Sequence, residues 1–243
     1  MILAFTKSPA RRLATVGLVA ALFSGCSAPT VTPTPAPSAL PTIPPTTPPY
    51  TLGPAPSGCP TAAPAAIGGT ATVTMSTNFG NMVIKVDAGL GANAAGTFVA
   101  LARCGYYNNI VFHRIVKGFV IQAGDGTYAR LPTLTQSKMG TGGPGWTIPD
   151  DKVTTKYKRG TVAMANTGAA NSANSQFFIV LSDTAWTSTT PTTYAIFGDV
   201  TSGLDVVDRI AQVPTGGEPG SDGSPASMPL QPIVITGTTV TTP

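Results

Sequence analysis

The residues of this sequence that could do chemistry lie in three short segments between positions 112 and 179. The first reads Phe112-His-Arg-Ile-Val-Lys-Gly-Phe-Val-Ile-Gln-Ala-Gly-Asp125, the second Gly160-Thr-Val-Ala-Met-Ala-Asn166, and the third Asn174-Ser-Gln-Phe-Phe-Ile179. They supply an arginine, several side-chain amides and several aromatic rings, but no nucleophile. Such a set suits peptide binding, because apolar rings accept a side chain while polar groups hold backbone carbonyl groups.

Several other kinds of site are excluded by what the sequence lacks. His113 is the only histidine and no Gly-x-Ser-x-Gly motif occurs, which argues against a serine hydrolase. One histidine and three cysteines are too few for a typical zinc site, so we expect no metal and no other cofactor. We expect His113 to be a structural, hydrogen-bonded residue.

Two glycine patterns have the spacing of a dinucleotide-binding loop. The first runs from Gly89 to Ala94, but no acidic residue that could hold a ribose occurs between Asp87 and Asp125. The second, residues 140–145, contains Pro144 and is not followed by a helical pattern. We interpret both as ordinary loops.

The overall composition argues against a nucleic-acid binder. Only 10% of the 243 residues are charged, whereas roughly 25% is average for a soluble protein. The formal net charge is +4, and Lys7, Arg11 and Arg12 lie within the first dozen residues. The one basic run, residues 152–159, follows two aspartates and is interpreted as a solvated loop.

Residues 1–25 predict a lipoprotein signal peptide. A basic region precedes an apolar run at residues 13–23, and eleven helical residues would rise only about 16 Å, too little to span a membrane. Phe23-Ser24-Gly25-Cys26 resembles the bacterial lipobox, in which the cysteine is lipidated and becomes the mature N-terminus. We expect Cys26 to anchor the protein to the outer face of the cell membrane. The alternative is an ordinary secretory signal with an incidental cysteine.

Residues 26–66 predict a disordered linker rich in Pro, Thr and Ala. Thirteen of the 24 prolines lie between Ser27 and Pro64, and proline favours an extended chain with little capacity to form a core. The linker would hold a domain of residues 67–243 away from the membrane. Outside the cytoplasm, Cys59 and Cys104 are either joined by a disulfide or remain two free thiols.

The domain has the pattern of a mainly β protein. Alternation at residues 71–75 and 82–86 predicts a hairpin, and further strands are expected at 110–113, 119–123, 160–165, 176–181, 195–200 and 233–237. From Phe119 onward, alternation places Phe119 and Ile121 on one face and Val120 and Gln122 on the other. Helical spacing predicts helices at 94–104 and 204–212. These elements favour a closed antiparallel barrel over βαβ winding.

The domain resembles the cyclophilin-type peptidyl-prolyl cis-trans isomerases over residues 70–237. The resemblance is carried by Phe112-His-Arg with Gly118-Phe119, Gln122 and Gly124-Asp125, by Met164-Ala-Asn166, and by Ser175-Gln-Phe-Phe178, with support from residues 140–143 and 195–198. It implies a closed eight-stranded antiparallel β-barrel capped by two α-helices. It also implies an enzyme that rotates X–Pro bonds in proline-containing peptides and exported proteins. We expect a monomer. The alternative is a membrane-tethered peptide-binding or chaperone module with little catalysis.

The resemblance also assigns roles to individual residues. Arg114 would be catalytic, and substrate would be bound by Phe119, Val120, Gln122, Ala165, Asn166, Gln176, Phe178, Trp186 and Tyr194. Val120 stands where Met is usual in the family and Tyr194 where many members have His, so we expect an altered substrate preference. The tryptophan matching Trp186 helps to bind cyclosporin in the family, which makes this drug a candidate ligand.

Overall fold

A computed structural model describes residues 51–187, 191–216 and 227–242. The predicted signal peptide, Cys26 and most of the predicted linker lie outside these residues. The described strands are β1 (Thr70–Thr77), β2 (Gly80–Asp87), β3 (Arg114–Val116), β4 (Val120–Ala123), β5 (Thr161–Met164), β6 (Phe177–Val180), β7 (Ile196–Ser202), β8 (Thr215–Gly216), β9 (Met228–Pro229) and β10 (Ile235–Thr241). The helices are α1 (Ala92–Arg103), α2 (Leu204–Ala211) and a 3-10 turn (Gln136–Lys138). None of these helices is long and apolar enough to cross a membrane.

Eight strands form one curled antiparallel sheet in the order β10-β1-β2-β7-β5-β6-β4-β3. The prediction of a closed barrel is wrong, because this sheet is an open half-barrel with β10 and β3 at its edges. The segments before β3 and before β10 meet through an isolated bridge between Val111 and Val234 rather than through a ladder. Pro229 and Pro232 precede Val234, and a proline has no N–H to donate to a ladder.

Most predicted elements lie within a few residues of the observed ones, and one predicted strand is wrong. Residues 110–113 form isolated bridges from Ile110 and Val111, and the strand begins only at Arg114. The sequence does not predict the β8–β9 hairpin, whose two strands have only two residues each. Such short strands contain too little alternation to produce a pattern.

Alternation along the strands divides the apolar side chains between the two faces of the sheet. In the main core, Phe98 of α1 packs on Phe177 and Phe197, with ring centroids 5.3 and 4.7 Å apart. The next residue of β6, Phe178, belongs instead to a second buried cluster that also contains Val120. Successive strand residues point to opposite faces. The sheet therefore presents a second apolar surface, distinct from the core under α1.

Residues 53–66, which fall within the predicted linker, make several contacts with the domain. Gly53 and Asn109 exchange two hydrogen bonds of 2.8 and 2.9 Å between backbone and side-chain amide. Of the two alternatives for Cys59 and Cys104, the structure contains the disulfide. The segment contains no helix or strand, but its polar groups find partners on the domain that composition alone does not indicate.

Candidate active site

A groove of about 480 Å³ lies over the second apolar surface of the sheet. It brings together nine of the ten residues predicted to act on substrate: Arg114, Phe119, Val120, Gln122, Ala165, Asn166, Phe178, Trp186 and Tyr194. The tenth, Gln176, lines a small adjoining cavity and hydrogen-bonds to Gln122. The three segments singled out in the sequence therefore converge on one groove.

Strands β3, β4 and β6 position the central side chains of the groove. Arg114 is paired with Gln122, and Gln122 with Phe178, across the antiparallel ladders. Val120 and Gln122 share the groove face, as alternation predicts. Phe119 also reaches the groove, contrary to the alternation, because it lies in a turn before β4 and not in the strand itself. In this turn the backbone N–H of Phe119 donates to the Val116 carbonyl.

One wall of the groove is a stack of aromatic rings centred on Trp186. The indole lies 4.9 Å from the Phe119 ring, 4.0 Å from Tyr157 and 5.6 Å from Phe178, measured between centroids. Tyr194 meets Phe178 edge to face at 5.3 Å. These rings form a rigid apolar surface of the kind that accepts a compact ring such as proline.

Tyr157 supports this wall from behind, and the sequence does not indicate its role. Its hydroxyl donates to the Tyr194 carbonyl at 2.7 Å and accepts from the Tyr194 N–H at 3.1 Å. Burial raises the pKa of Tyr157 to about 12, so the hydroxyl keeps its proton at neutral pH. The two bonds fix the backbone that carries Tyr194.

The opposite wall is a chain of hydrogen bonds that ends at Arg114. The Gln176 amide nitrogen donates to the carbonyls of Gly140 and Gly142, at 2.9 and 2.8 Å. Its oxygen must then face Gln122, whose nitrogen donates to it at 3.0 Å. The Gln122 oxygen in turn accepts from Arg114 at 3.4 Å. Each amide orientation is therefore dictated by the preceding one, and the chain ends on the guanidinium.

Asp125 anchors the far end of this chain. Its carboxylate is fully buried and accepts four backbone hydrogen bonds, from Thr127, Tyr128, Gly140 and Gly142, at 2.8–3.0 Å. The last two donors belong to the same glycines whose carbonyls orient Gln176. Asp125 is thus a buried charge with its acceptor sites filled by N–H groups.

Close approach between β4 and the segment before β6 depends on Gly124. This residue has a φ of +103°, which side-chain-bearing residues rarely adopt, and a Cβ here would collide with the Ser175 carbonyl oxygen. The Ser175 hydroxyl donates to the Gly124 carbonyl at 2.8 Å. Glycine at this position therefore permits the contact that brings Gln176 beside Gln122.

His113 lies beside Arg114 in the groove and differs from its predicted role. It is buried, but neither ring nitrogen has a hydrogen-bond partner among the described residues, so the prediction of a hydrogen-bonded residue is wrong. Burial lowers the pKa of His113 to about 4, with Arg114 acting in the same direction and Asp125 opposing it. The ring is therefore neutral at pH 7, with one donor and one acceptor nitrogen.

No group of three or more His, Cys, Asp and Glu side chains within residues 51–187, 191–216 and 227–242 is arranged to hold a metal ion. The groove instead combines an aromatic wall, a directed polar wall and a cation between them. This combination can bind an apolar ring and place a hydrogen-bond donor beside it.

Comparison with known proteins identifies the family. The family model described as cyclophilin type peptidyl-prolyl cis-trans isomerase/CLD matches residues 72–240. The chain belongs to the cyclophilin family. As a member, it catalyses the cis–trans isomerisation of peptidyl-prolyl bonds.

Bacterial relatives match this cyclophilin over the whole domain. The peptidyl-prolyl cis-trans isomerase cyp18 of Streptomyces antibioticus is 36% identical over 170 residues, which cover 68% of this chain and 95% of that protein. Peptidyl-prolyl cis-trans isomerase B of Escherichia coli K12 is 32% identical over 173 residues, 69% of this chain and 98% of that protein. Because both matches span nearly all of the relative, the shared part is a complete isomerase domain.

Solved structures agree with this assignment. A cyclophilin-type isomerase of Cryptosporidium parvum superposes with a TM-score of 0.57 at 27% identity and covers 72% of this chain and 99% of its own. A second structure of that protein, determined in the presence of the dipeptide Ala-Pro, gives a TM-score of 0.56 over 71% of this chain and 99% of its own.

Proposed function

We propose that this cyclophilin is a lipid-anchored isomerase that assists the folding of exported proteins outside the cytoplasm, and that Arg114 is its catalytic residue. The observation that carries the catalytic role is the position of Arg114. It lines the same groove as Phe119 and Phe178 and stands at the end of the hydrogen-bond chain from Gln176 through Gln122. A proline ring held by the aromatic wall has a cation beside its amide.

The chemistry of the reaction explains why a cation is useful there. Rotation about an X–Pro bond has a barrier of about 18–20 kcal/mol, because the nitrogen lone pair is delocalised into the carbonyl. As the bond twists, the lone pair localises on nitrogen and becomes a hydrogen-bond acceptor. The Arg114 guanidinium would donate to that lone pair, and a second N–H would hold the proline carbonyl. A donor that binds the twisted state better than the planar state lowers the barrier.

The remaining residues would hold the peptide on both sides of this bond. Phe119, Val120 and Phe178 would form the proline pocket. Gln122 uses one amide hydrogen on Gln176, which leaves the second for a substrate carbonyl. The backbone of Ala165 and Asn166 would pair with the residue before proline.

Cyclosporin binding would differ from the family pattern at Trp186. The indole N–H of this residue donates to the Pro191 carbonyl at 2.8 Å. A ligand that needs the same donor must first displace that bond. We therefore expect this bond to weaken the binding of the drug to this cyclophilin.

The proposed location rests on the lipobox-like Cys26 and on the Cys59–Cys104 disulfide. Disulfides persist in oxidising compartments and are rare in the cytosol. A tether that ends on the domain at residue 53 would keep the enzyme at the membrane, where exported chains emerge.

Membrane fractionation tests the location. Cys26→Ser should release the protein into the soluble fraction, while Cys59→Ser, expressed in parallel, should stay with the membrane because only Cys26 is lipidated. Retention of the Cys26→Ser variant on membranes would refute the lipid anchor and leave the isomerase activity untouched.

A further inference from the structure

Another cavity, of about 80 Å³ and distinct from the one that Gln176 lines, adjoins the groove on the side of His113. His113, Met139 and Met228 line both spaces, so these three side chains form the boundary between them. One water needs only about 15 Å³ of such volume, so the cavity has room for several non-hydrogen atoms. Its other walls include Leu134, Pro229 and Leu230.

The boundary carries the unsatisfied imidazole. His113 is 6% exposed, and neither of its nitrogens has a partner in the described part of the chain. Buried polar side chains nearly always have a partner, so this ring is an exception. The donor and acceptor nitrogens point in different directions and have almost no accessible surface, so the ring makes the boundary polar without offering them directly to a peptide.

The walls of the cavity are apolar and adaptable. Met139 and Met228 are unbranched thioethers, which reshape readily around aliphatic and aromatic groups. Leu230 lines the cavity while remaining 69% exposed, so it stands at the opening. Leu52 is the other large hydrophobic residue exposed in the described ranges, at 42%, and it lies on the N-terminal segment instead. Of the two large hydrophobic side chains exposed in the described ranges, Leu230 is therefore the one at the cavity opening.

We propose that this cavity is a second substrate subsite, which takes a leucine- or phenylalanine-sized side chain close to the proline of the client. The occupant follows from continuity with the groove, because a peptide bound there needs only to extend past His113 to reach the cavity. This inference deepens the proposed function and rests on it.

The test uses a glycine-flanked X–Pro peptide and variants with phenylalanine at each of three positions before and two after the X–Pro pair. In the wild-type protein, phenylalanine at one position should raise kcat/KM at least fivefold over glycine. Leu230→Asp places a charge at the cavity opening and should abolish this gain while leaving the all-glycine peptide unchanged. Leu52→Asp, the matched control, should change neither value.

Two results would overturn the subsite: no position at which phenylalanine helps, or a Leu230→Asp protein that retains the full gain. Failure of the catalytic proposal is recognised separately, because Arg114→Ala would then isomerise the all-glycine peptide at the wild-type rate. Peptide affinities from tryptophan fluorescence report on the subsite in either case.

Discussion

The two walls of the groove achieve order in different ways. The aromatic wall consists of rings that pack against one another around Trp186. The polar wall is a sequence of directed hydrogen bonds from Asp125 to Arg114 in which each partner fixes the next. We therefore expect the aromatic wall to contribute mainly to affinity and stability, and the polar wall mainly to the rate.

The largest expected effect is on the aromatic wall. Phe178→Ala removes a ring that is 4% exposed and packs on Trp186 and Tyr194, so the free energy of unfolding should fall by about 3–5 kcal/mol. Urea denaturation measures this loss. Phe119→Ala is the matched control, because its ring is only half-buried and its removal should destabilise the protein much less. Equal losses for the two variants would contradict the account of this wall.

The second effect concerns pH and His113. Its pKa is about 4 in the folded protein and near 6.5 unfolded, so between these values the unfolded chain binds the extra proton. Stability should therefore fall as the pH is lowered, by about 2 kcal/mol between pH 7.5 and pH 5 from this residue. Urea denaturation at both pH values should show a difference that largely disappears in His113→Asn. An unchanged difference in the variant would mean that other groups cause it.

The third effect is on the polar wall alone. Asp125→Asn directs an NH2 group at one of the two pairs of backbone N–H groups that the carboxylate accepts. The weakened anchor should shift the carbonyls that orient Gln176. We expect kcat to fall about tenfold, or ~1.4 kcal/mol of barrier, in the folded variant.

Asp151→Asn is the matched control for this prediction. Asp151 also accepts backbone hydrogen bonds, from Asn93 and Ala94 at the start of α1, but it has no link to Arg114. The control should lose stability and keep its kcat, with the side-chain amide NMR signals of Gln122 and Gln176 unmoved. Similar kcat values for the two variants would show that Asp125 does not act on catalysis through the hydrogen bonds that lead to Arg114.

The sequence predicts the groove better than it predicts the fold around it. Strand alternation places Val120 and Gln122 together because the period of two is local information. Closure of the sheet depends instead on whether segments more than a hundred residues apart form a ladder, and alternation contains no such information. The same limitation explains residues 110–113, which are apolar like a strand but meet Arg130 and Val234 only at isolated bridges.

Within the site, the sequence indicates which residues take part but not how they are connected. The aromatic and amide residues can be recognised from their motifs. The role of Asp125 cannot, because its donors lie up to 17 residues away along the chain. The orphaned nitrogens of His113 are equally invisible, since a lone histidine in an apolar run usually finds a partner in the fold.

The most direct test of the account measures binding and turnover separately in Arg114→Ala. The aromatic wall is intact in this variant and only the bond to the proline carbonyl is lost from the bound peptide, so the Kd for an X–Pro peptide should rise by no more than about tenfold. The rate of isomerisation should fall about a hundredfold, equivalent to roughly 2–3 kcal/mol of lost barrier lowering. A variant that binds as predicted and isomerises at the wild-type rate would show that the guanidinium is not the catalytic group.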